Sequence, residues 1–493
     1  MSELLRGARL FSHRRDVVDF TSSLKADQEL LESVVTINKA HVIMMAECGI
    51  VDRKKTAKLL EALGKIDGKI DLSKTDCEDV HMYVEEMVTG LAGSEIGGDL
   101  HIAKSRNDQV ATAIRMRLRQ YLLELLSTFT SFQETLLDVA SNHVNTIVPG
   151  YTHTQPAQPI TFAHHLLSYS GAFGRDIERL MDTYGRVNLS PMGAGALAAT
   201  SFPISRERVA ELLGFSGVIE NSIDAVGSRD FLLEVQSCLT LAALNVSRLA
   251  EDLILWSSVA FGIIELPDEF ASTSSMMPQK KNPEVLEIVR ARIGDVIGNF
   301  VATATTMKSL PSGYNLDLQE LTPKLWETIE CISSSLFMLT ALLPLLKVTS
   351  IKSDLLDFST STELANMLVR KHKIPFRSAH RIVGTLVQKL VEQKRSLSDT
   401  TPELLESVSK LVVEHPVKVT EEEVQSSVSP LQVVKAHNVR GGPSPEEVAR
   451  ALAARRQIVA SWKKKLSEES DRLQKSRVML QSLEEQYLSS NHG

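Results

Sequence analysis

Residues 271–287 read Ala-Ser-Thr-Ser-Ser-Met-Met-Pro-Gln-Lys-Lys-Asn-Pro-Glu-Val-Leu-Glu. The small hydroxyl residues Ser272, Thr273, Ser274 and Ser275 predict a polar, mobile loop. Lys280, Lys281 and Asn282 then supply cation and amide donors. A long apolar-periodic segment begins at Pro283. Proline at a first helical position, with asparagine just before it as N-cap, predicts a helix start there. The loop thus delivers donors to a helix N-terminus, where the dipole and free N–H groups favour an anion. These residue types suit a site that holds a carboxylate and stabilises negative charge as it develops. Taken alone, Lys-Lys-Asn-Pro reads more simply as a solvated loop before a capped helix.

Two other segments are dense in polar chemistry. In His101-Ile102-Ala103-Lys104-Ser105-Arg106-Asn107-Asp108-Gln109, the residues Ser105, Arg106 and Asn107 crowd donors at a predicted helix start, a good place to grip a carboxylate. Alone, this is an N-cap with a surface arginine. In Pro149-Gly150-Tyr151-Thr152-His153-Thr154-Gln155-Pro156-Ala157-Gln158-Pro159, a histidine sits between two threonines in a loop bounded by proline and glycine. Alone, that histidine is a surface residue.

The elements that must position these segments are helical. Val110, Ile114, Leu118, Leu122, Leu125, Leu126, Phe129 and Phe132 keep the i, i+3, i+4 spacing of a helix. Ile160, Ala163, Leu167, Ile177 and Leu180 do so less strictly. Further periodic segments run roughly over 229–264, 283–309 and 319–346, with Pro149-Gly150, Pro191–Gly195, Pro267 and Pro311–Gly313 between them. Five long helices predict an all-α chain with a central bundle that assembles with copies of itself. The expected division is 1–104, an N-terminal helical domain; 105–350, the bundle; and 351–493, a C-terminal helical domain. From Glu446 the composition predicts a long charged helix, exposed to solvent or facing another subunit.

Hydrophobic residues make up 43% of the 493 residues and charged residues 23%, with a formal net charge of −7. This argues against nucleic acid or an anionic membrane as the main partner. Cys48, Cys77, Cys238 and Cys331 form no CxxC pair, so reduced thiols in a cytoplasmic protein are expected, with no disulfide framework or metal site. The N-terminal Ser-Glu-Leu-Leu-Arg-Gly-Ala-Arg lacks the apolar core of a secretory signal. The longest uncharged run, Cys331 to Leu346, is shorter than a membrane span and reads as a bundle helix buried on all sides.

The string Ser-Ser-Met-Met-Pro-Gln-Lys-Lys-Asn-Pro resembles the signature loop of the fumarase/aspartase superfamily. Its Pro-Gln-Lys-Lys-Asn-Pro form is similar to that of argininosuccinate lyases and the related delta-crystallins. Fumarases and adenylosuccinate lyases carry other residues between that proline and that asparagine. Ser105 to Val110 and Gly150-Tyr151-Thr152-His153 match the two other signature stretches of argininosuccinate lyases, in order and spacing. The resemblance runs from about Arg9 to about Gly442.

The resemblance implies a three-domain chain whose bundle builds a 20-helix tetramer core, with each active site shared between three subunits of a homotetramer. It implies elimination of fumarate from argininosuccinate, with release of arginine. Ser274, on a closing loop, is the implied base, and His153 protonates the departing nitrogen with Glu287 orienting it. The reverse assignment, with His153 or a water it activates as base, stays open. Lys280 and Asn282 stabilise the dianion formed when the carbon acid loses its proton. Ser23, Asp79, His81, Ser105, Arg106, Asn107, Thr152, Gln155, Tyr314 and Gln319 are the implied substrate contacts, Tyr314 and Gln319 at the amino-acid end. Asp27 accompanies Ser23, and Asn221-Ser222 and Arg229-Asp230-Phe231 match further family segments. The electron sink is the substrate's own carboxylate, so no metal or organic cofactor is implied.

Three departures from the family pattern stand out. Ile102-Ala103-Lys104 replaces Thr-Gly-Arg, and Thr273 replaces a glycine, which stiffens the loop. Thr322 replaces a lysine, with Lys324 nearby as a partial substitute. Two rivals remain: a delta-crystallin-like structural tetramer that has lost catalysis, and another fumarate-releasing lyase such as adenylosuccinate lyase.

Overall fold

The computed structural model describes residues 14–348, apart from 67, 69 and 71–74, and residues 353–489. The Ser2–Arg9 segment and the expected boundary at 350/351 lie outside the described residues.

The N-terminal region contains α1 (Leu31–Glu47), α2 (Arg53–Gly64) and α3 (Val80–Ala92). Five long helices follow: α4 (Arg106–Asn142), α5 (Phe162–Val187), α6 (Asp230–Ser257), α7 (Glu284–Met307) and α8 (Leu321–Leu342). They pack as a bundle, α4 on α5 and α8, α6 on α5, α7 and α8, and α7 on α8. The stripe from Ile114 to Phe132 is the buried seam of α4, as its spacing predicts. Beyond the bundle, α9 (Ser361–His372), α10 (Phe376–Glu392) and α11 (Glu421–Val428) close over a second core around Leu368, Ile382, Leu386 and Val424.

Helix α12 (Pro445–Ser489) turns back along its own chain and packs on α4, α2 and α1. Val448, Leu452, Val459, Trp462 and Leu480 join the main core. Lys39–Glu484 at 2.8 Å, Arg456–Asp138 at 2.7 Å and Lys463–Glu134 at 2.9 Å line its edges. A composition rich in charge concealed this because the buried residues are widely spaced along one face.

Helix α8 departs from the expectation of burial on all sides. Leu321, Leu325, Ile329, Ile332, Leu336, Leu339 and Leu342 form its inner stripe, whereas Phe337 is 64% exposed and Met338 is also open. Leu316–Leu345 is, among the described residues, the one helical stretch long and apolar enough to cross a membrane, yet its leucine and isoleucine stripe packs inside the bundle. Leu241 and Leu244 on α6, and Ile288, Ile297 and Val301 on α7, are exposed apolar residues too.

Strands are few but bear on the site. Segment 147–161 is an antiparallel hairpin, β1 (Ile147–Thr152) with β2 (Gln155–Thr161), where the sequence predicts a loop. His153 (φ 54°) and Thr154 (φ 57°) form its turn, the positive φ pair of a type I′ connection. Pro149, Pro156 and Pro159 are tolerated because each strand of a two-stranded ribbon has a free edge. A short pairing joins β3 (Ile264–Glu265) to β6 (Lys347–Val348), and another joins β4 (Ser272–Thr273) to β5 (Lys281–Asn282). Asn282 is therefore a strand residue, not an N-cap. Pro283 precedes α7 without any side-chain cap, and the helix begins at Glu284.

Candidate active site

The first turn of α4 is organised by a capping box. Ser105 Oγ accepts from Asn107 N at 3.3 Å, and Ser105 N donates to Asp108 Oδ1 at 3.0 Å. Arg106 is thereby held at the helix start, where its guanidinium pairs with Asp79. Asp79 is in turn the N-cap of α3, accepting from Met82 N at 2.8 Å. Two helix starts thus face each other through one ion pair.

This pair lines a cavity of about 400 Å³ that also receives Ser23, Asp27, His81, Tyr314 and Gln319. Ser23 Oγ donates to Asp27 Oδ2 at 2.6 Å, and Gln319 Nε2 donates to Thr21 O at 3.0 Å. Burial, with Asp79 nearby, pushes the Asp27 carboxyl up to about 7. Burial also pushes the His81 imidazole down to about 4, and neither ring nitrogen has a partner. The Tyr314 hydroxyl is raised for the same reason. Arg106 already neutralises Asp79, so Asp27 is the acid still in want of a cation. The cavity suits an ammonium or guanidinium group beside hydroxyl and amide partners.

Thr322 lines the same cavity. Lys324 does not substitute there: its Nζ donates to Glu320 O at 2.6 Å on the exposed side of α8. Behind the site lie buried charged and titratable residues, of which His41 belongs to none of the motifs. Lys104 is buried, donates to Asn38 Oδ1, and is pushed down to about 8 by burial. The neighbouring His41 is held down to about 3 by burial, with Nε2 2.8 Å from Ile102 O. Asp108 is fully buried. Lys104 stands next to the Ser105–Val110 stretch and Asp108 within it, so both were visible in sequence, while their burial was not.

The other candidate residues stand apart from this cavity. Thr152, His153 and Gln155 are exposed at the tip of the β1–β2 hairpin. The β4–β5 pairing makes Ser274–Lys280 a hairpin loop. Ser274 Oγ accepts from Met276 N at 3.3 Å and Met277 N at 3.1 Å, so the serine organises the loop's own backbone. Lys281 is committed to Asp268 at 2.6 Å and Glu265 at 3.3 Å. Lys280 is exposed and has no ion pair among the described residues, so it is the lysine left free for a ligand. Glu287 is exposed on the first turn of α7. Among the described residues, no hydrogen bond or ion pair joins the side chains of His153, Ser274, Lys280 and Glu287 to one another or to the cavity. One chain therefore gathers Ser23, Asp79, His81, Arg106, Tyr314 and Gln319, and leaves two groups of candidates open on its surface.

Residues 18–298 match the family model described as lyase, which with the helical bundle defines the class of the protein. Residues 358–435 match the argininosuccinate lyase C-terminal family. The chain is 41% identical to the argininosuccinate lyase of Methanocaldococcus jannaschii over 491 residues, covering 98% of this chain and 100% of that one. It is 41% identical to that of Methanosarcina barkeri over 466 residues, covering 92% and 93%. The crystal structure of EDDS lyase in complex with formate superposes with a TM-score of 0.87 at 28% identity, covering 94% and 93%. A class II fumarase from Schistosoma mansoni shares the fold, with a TM-score of 0.70 at 19% identity over 83% and 91%. The chain belongs to the argininosuccinate lyase family.

Proposed function

We propose that this chain cleaves L-argininosuccinate to fumarate and L-arginine, a step of arginine biosynthesis in the cytoplasm. The observation that carries the reading is the full-length likeness to argininosuccinate lyases. The geometry of the cavity agrees with it: the Asp27 and Asp79 end takes the cationic amino-acid part of the substrate. Lys280, Asn282 and the loop backbone take the succinate part.

Ser274 removes a proton from the carbon next to the one bearing nitrogen. The electron pair passes into the adjacent carboxylate, giving a dianion held by Lys280 and Asn282. It then returns to form the carbon–carbon double bond as the carbon–nitrogen bond breaks. His153 gives its proton to the departing guanidine nitrogen, and Glu287 orients the imidazole. A serine hydroxyl is a poor base by itself, and the Lys280 cation is the group that favours its ionised form.

The open apolar residues of α6, α7 and α8 support a homotetramer built on the bundle, with domains at 1–104, 105–350 and 351–493. In it the hairpin tip and the Ser274 loop of two copies meet the Arg106 cavity of a third, so that Ser105, Asn107, Thr152 and Gln155 complete the substrate contacts.

The test is to mix the pure protein with argininosuccinate and follow fumarate by its ultraviolet absorbance. Turnover is expected. Silence at high enzyme concentration favours a structural tetramer, and turnover of adenylosuccinate instead reassigns the substrate.

A further inference from the structure

We infer that Asp108 is a positioning residue: by holding the Gly193–Ala196 turn, its buried carboxylate fixes which atom of Asn107 faces the substrate. The inference rests on Asn107 being a substrate contact. Asp108 Oδ1 is occupied by the capping box, and Oδ2 accepts from Gly193 N at 3.1 Å and Gly195 N at 2.9 Å. Both glycines have positive φ, 83° and 61°, which lets N–H groups two residues apart converge on one oxygen. A Cβ on Gly195 would stand 2.5 Å from Ala199 O, so the turn has a single tight shape. That shape places Ala196 O 3.1 Å from Asn107 Nδ2.

A carbonyl oxygen can only accept. The Asn107 amide must therefore turn its nitrogen to Ala196, which leaves its oxygen as the atom available for the proposed substrate contact. Asn107 then offers an acceptor for a substrate N–H, where the sequence suggests only a donor for a carboxylate. The outer end of the turn is tied by Ser222 Oγ, which donates to Leu197 O at 2.7 Å.

Asp108→Asn sets an amide N–H₂ or a weaker acceptor against the two glycine N–H groups and frees the turn. The full chain is assayed as wild type, Asp108→Asn, Asn107→Ala and the double variant. A contact present in both the bound and transition states governs KM, so Asn107→Ala is expected to raise KM about tenfold with kcat little changed. Asp108→Asn should do the same, and the double variant should lie within about twofold of Asn107→Ala, because the two act as one unit. Multiplying effects, or a fall in kcat with KM unchanged, overturn the role of Asp108 while leaving Asn107 a substrate contact. If Asn107→Ala leaves KM unchanged, the substrate reading of Asn107 fails instead, and the inference with it. Should Asp108→Asn not fold, Ser222→Ala loosens the same turn from the solvent side. A rise in KM of about twofold that disappears in the Asn107→Ala background supports the inference. No rise, or an equal rise in both backgrounds, overturns it.

Discussion

The Arg106 cavity and the Ser274–Lys280 loop are built on opposite plans. In the cavity several polar groups are paired within the chain: Arg106 has Asp79, Ser23 has Asp27, and Gln319 has Thr21 O, whereas both ring nitrogens of His81 are left unpaired. In the loop, and at the His153 tip, the groups that would move protons have no side-chain partner among the described residues. On the proposed reading, recognition is pre-organised within one chain, at a cost in buried charge, while the groups assigned to the reaction are carried on exposed hairpins. Exposed hairpins pack and move more easily than buried helix starts, which suits a site that must close over a substrate.

The largest effect expected on this contrast falls on the loop. Ser274→Ala should lower kcat by about 10²–10⁴-fold and leave the thermal midpoint unchanged, since the serine is not part of any core. Wild-type-like turnover would remove it from the mechanism. In the cavity, Asp27→Asn should act through binding, raising KM by about 10- to 100-fold through loss of a charge-assisted contact while kcat changes less.

The same variant has a signature in stability. The folded-state value for Asp27, about 7, lies above its ordinary 3.8, so the folded chain binds more protons than the unfolded chain between those values. This contribution is full below the lower value and is lost as pH rises through the upper one. Thermal midpoints followed from about pH 5 to pH 7 should therefore show a decline in wild type that Asp27→Asn lessens. Outside both regions, Trp462→Ala on α12 should cost about 3–5 kcal/mol of stability and leave KM as it was. A changed KM would show that α12 reaches the site.

The long helices were legible because one residue in every turn of α4 and α8 is apolar, and the capping box at Ser105 and Asp108 is a local signal. The β1–β2 hairpin was not, because three prolines hid its strands and its turn uses His153-Thr154 in place of an asparagine-glycine pair. Asn282 looks like an N-cap in sequence, but pairing with Ser272 claims its backbone. The cavity residues could be named one by one from the resemblance. That Asp27, Asp79 and Arg106 share one cavity depends on contacts far apart along the chain, which no local pattern encodes. The fold of α12 onto its own chain was hidden for the same reason.

The central claim, that the proton-moving groups of different copies meet at one cavity, is tested most directly by subunit exchange. Inactive His153→Ala and Ser274→Ala chains are mixed, dissociated and reassembled, and fumarate release is followed. If His153 and Ser274 reach a site from separate copies, some mixed sites hold both intact residues and activity returns. If activity stays at the level of the separate variants after exchange is verified, each site takes both residues from one chain, and the account is contradicted.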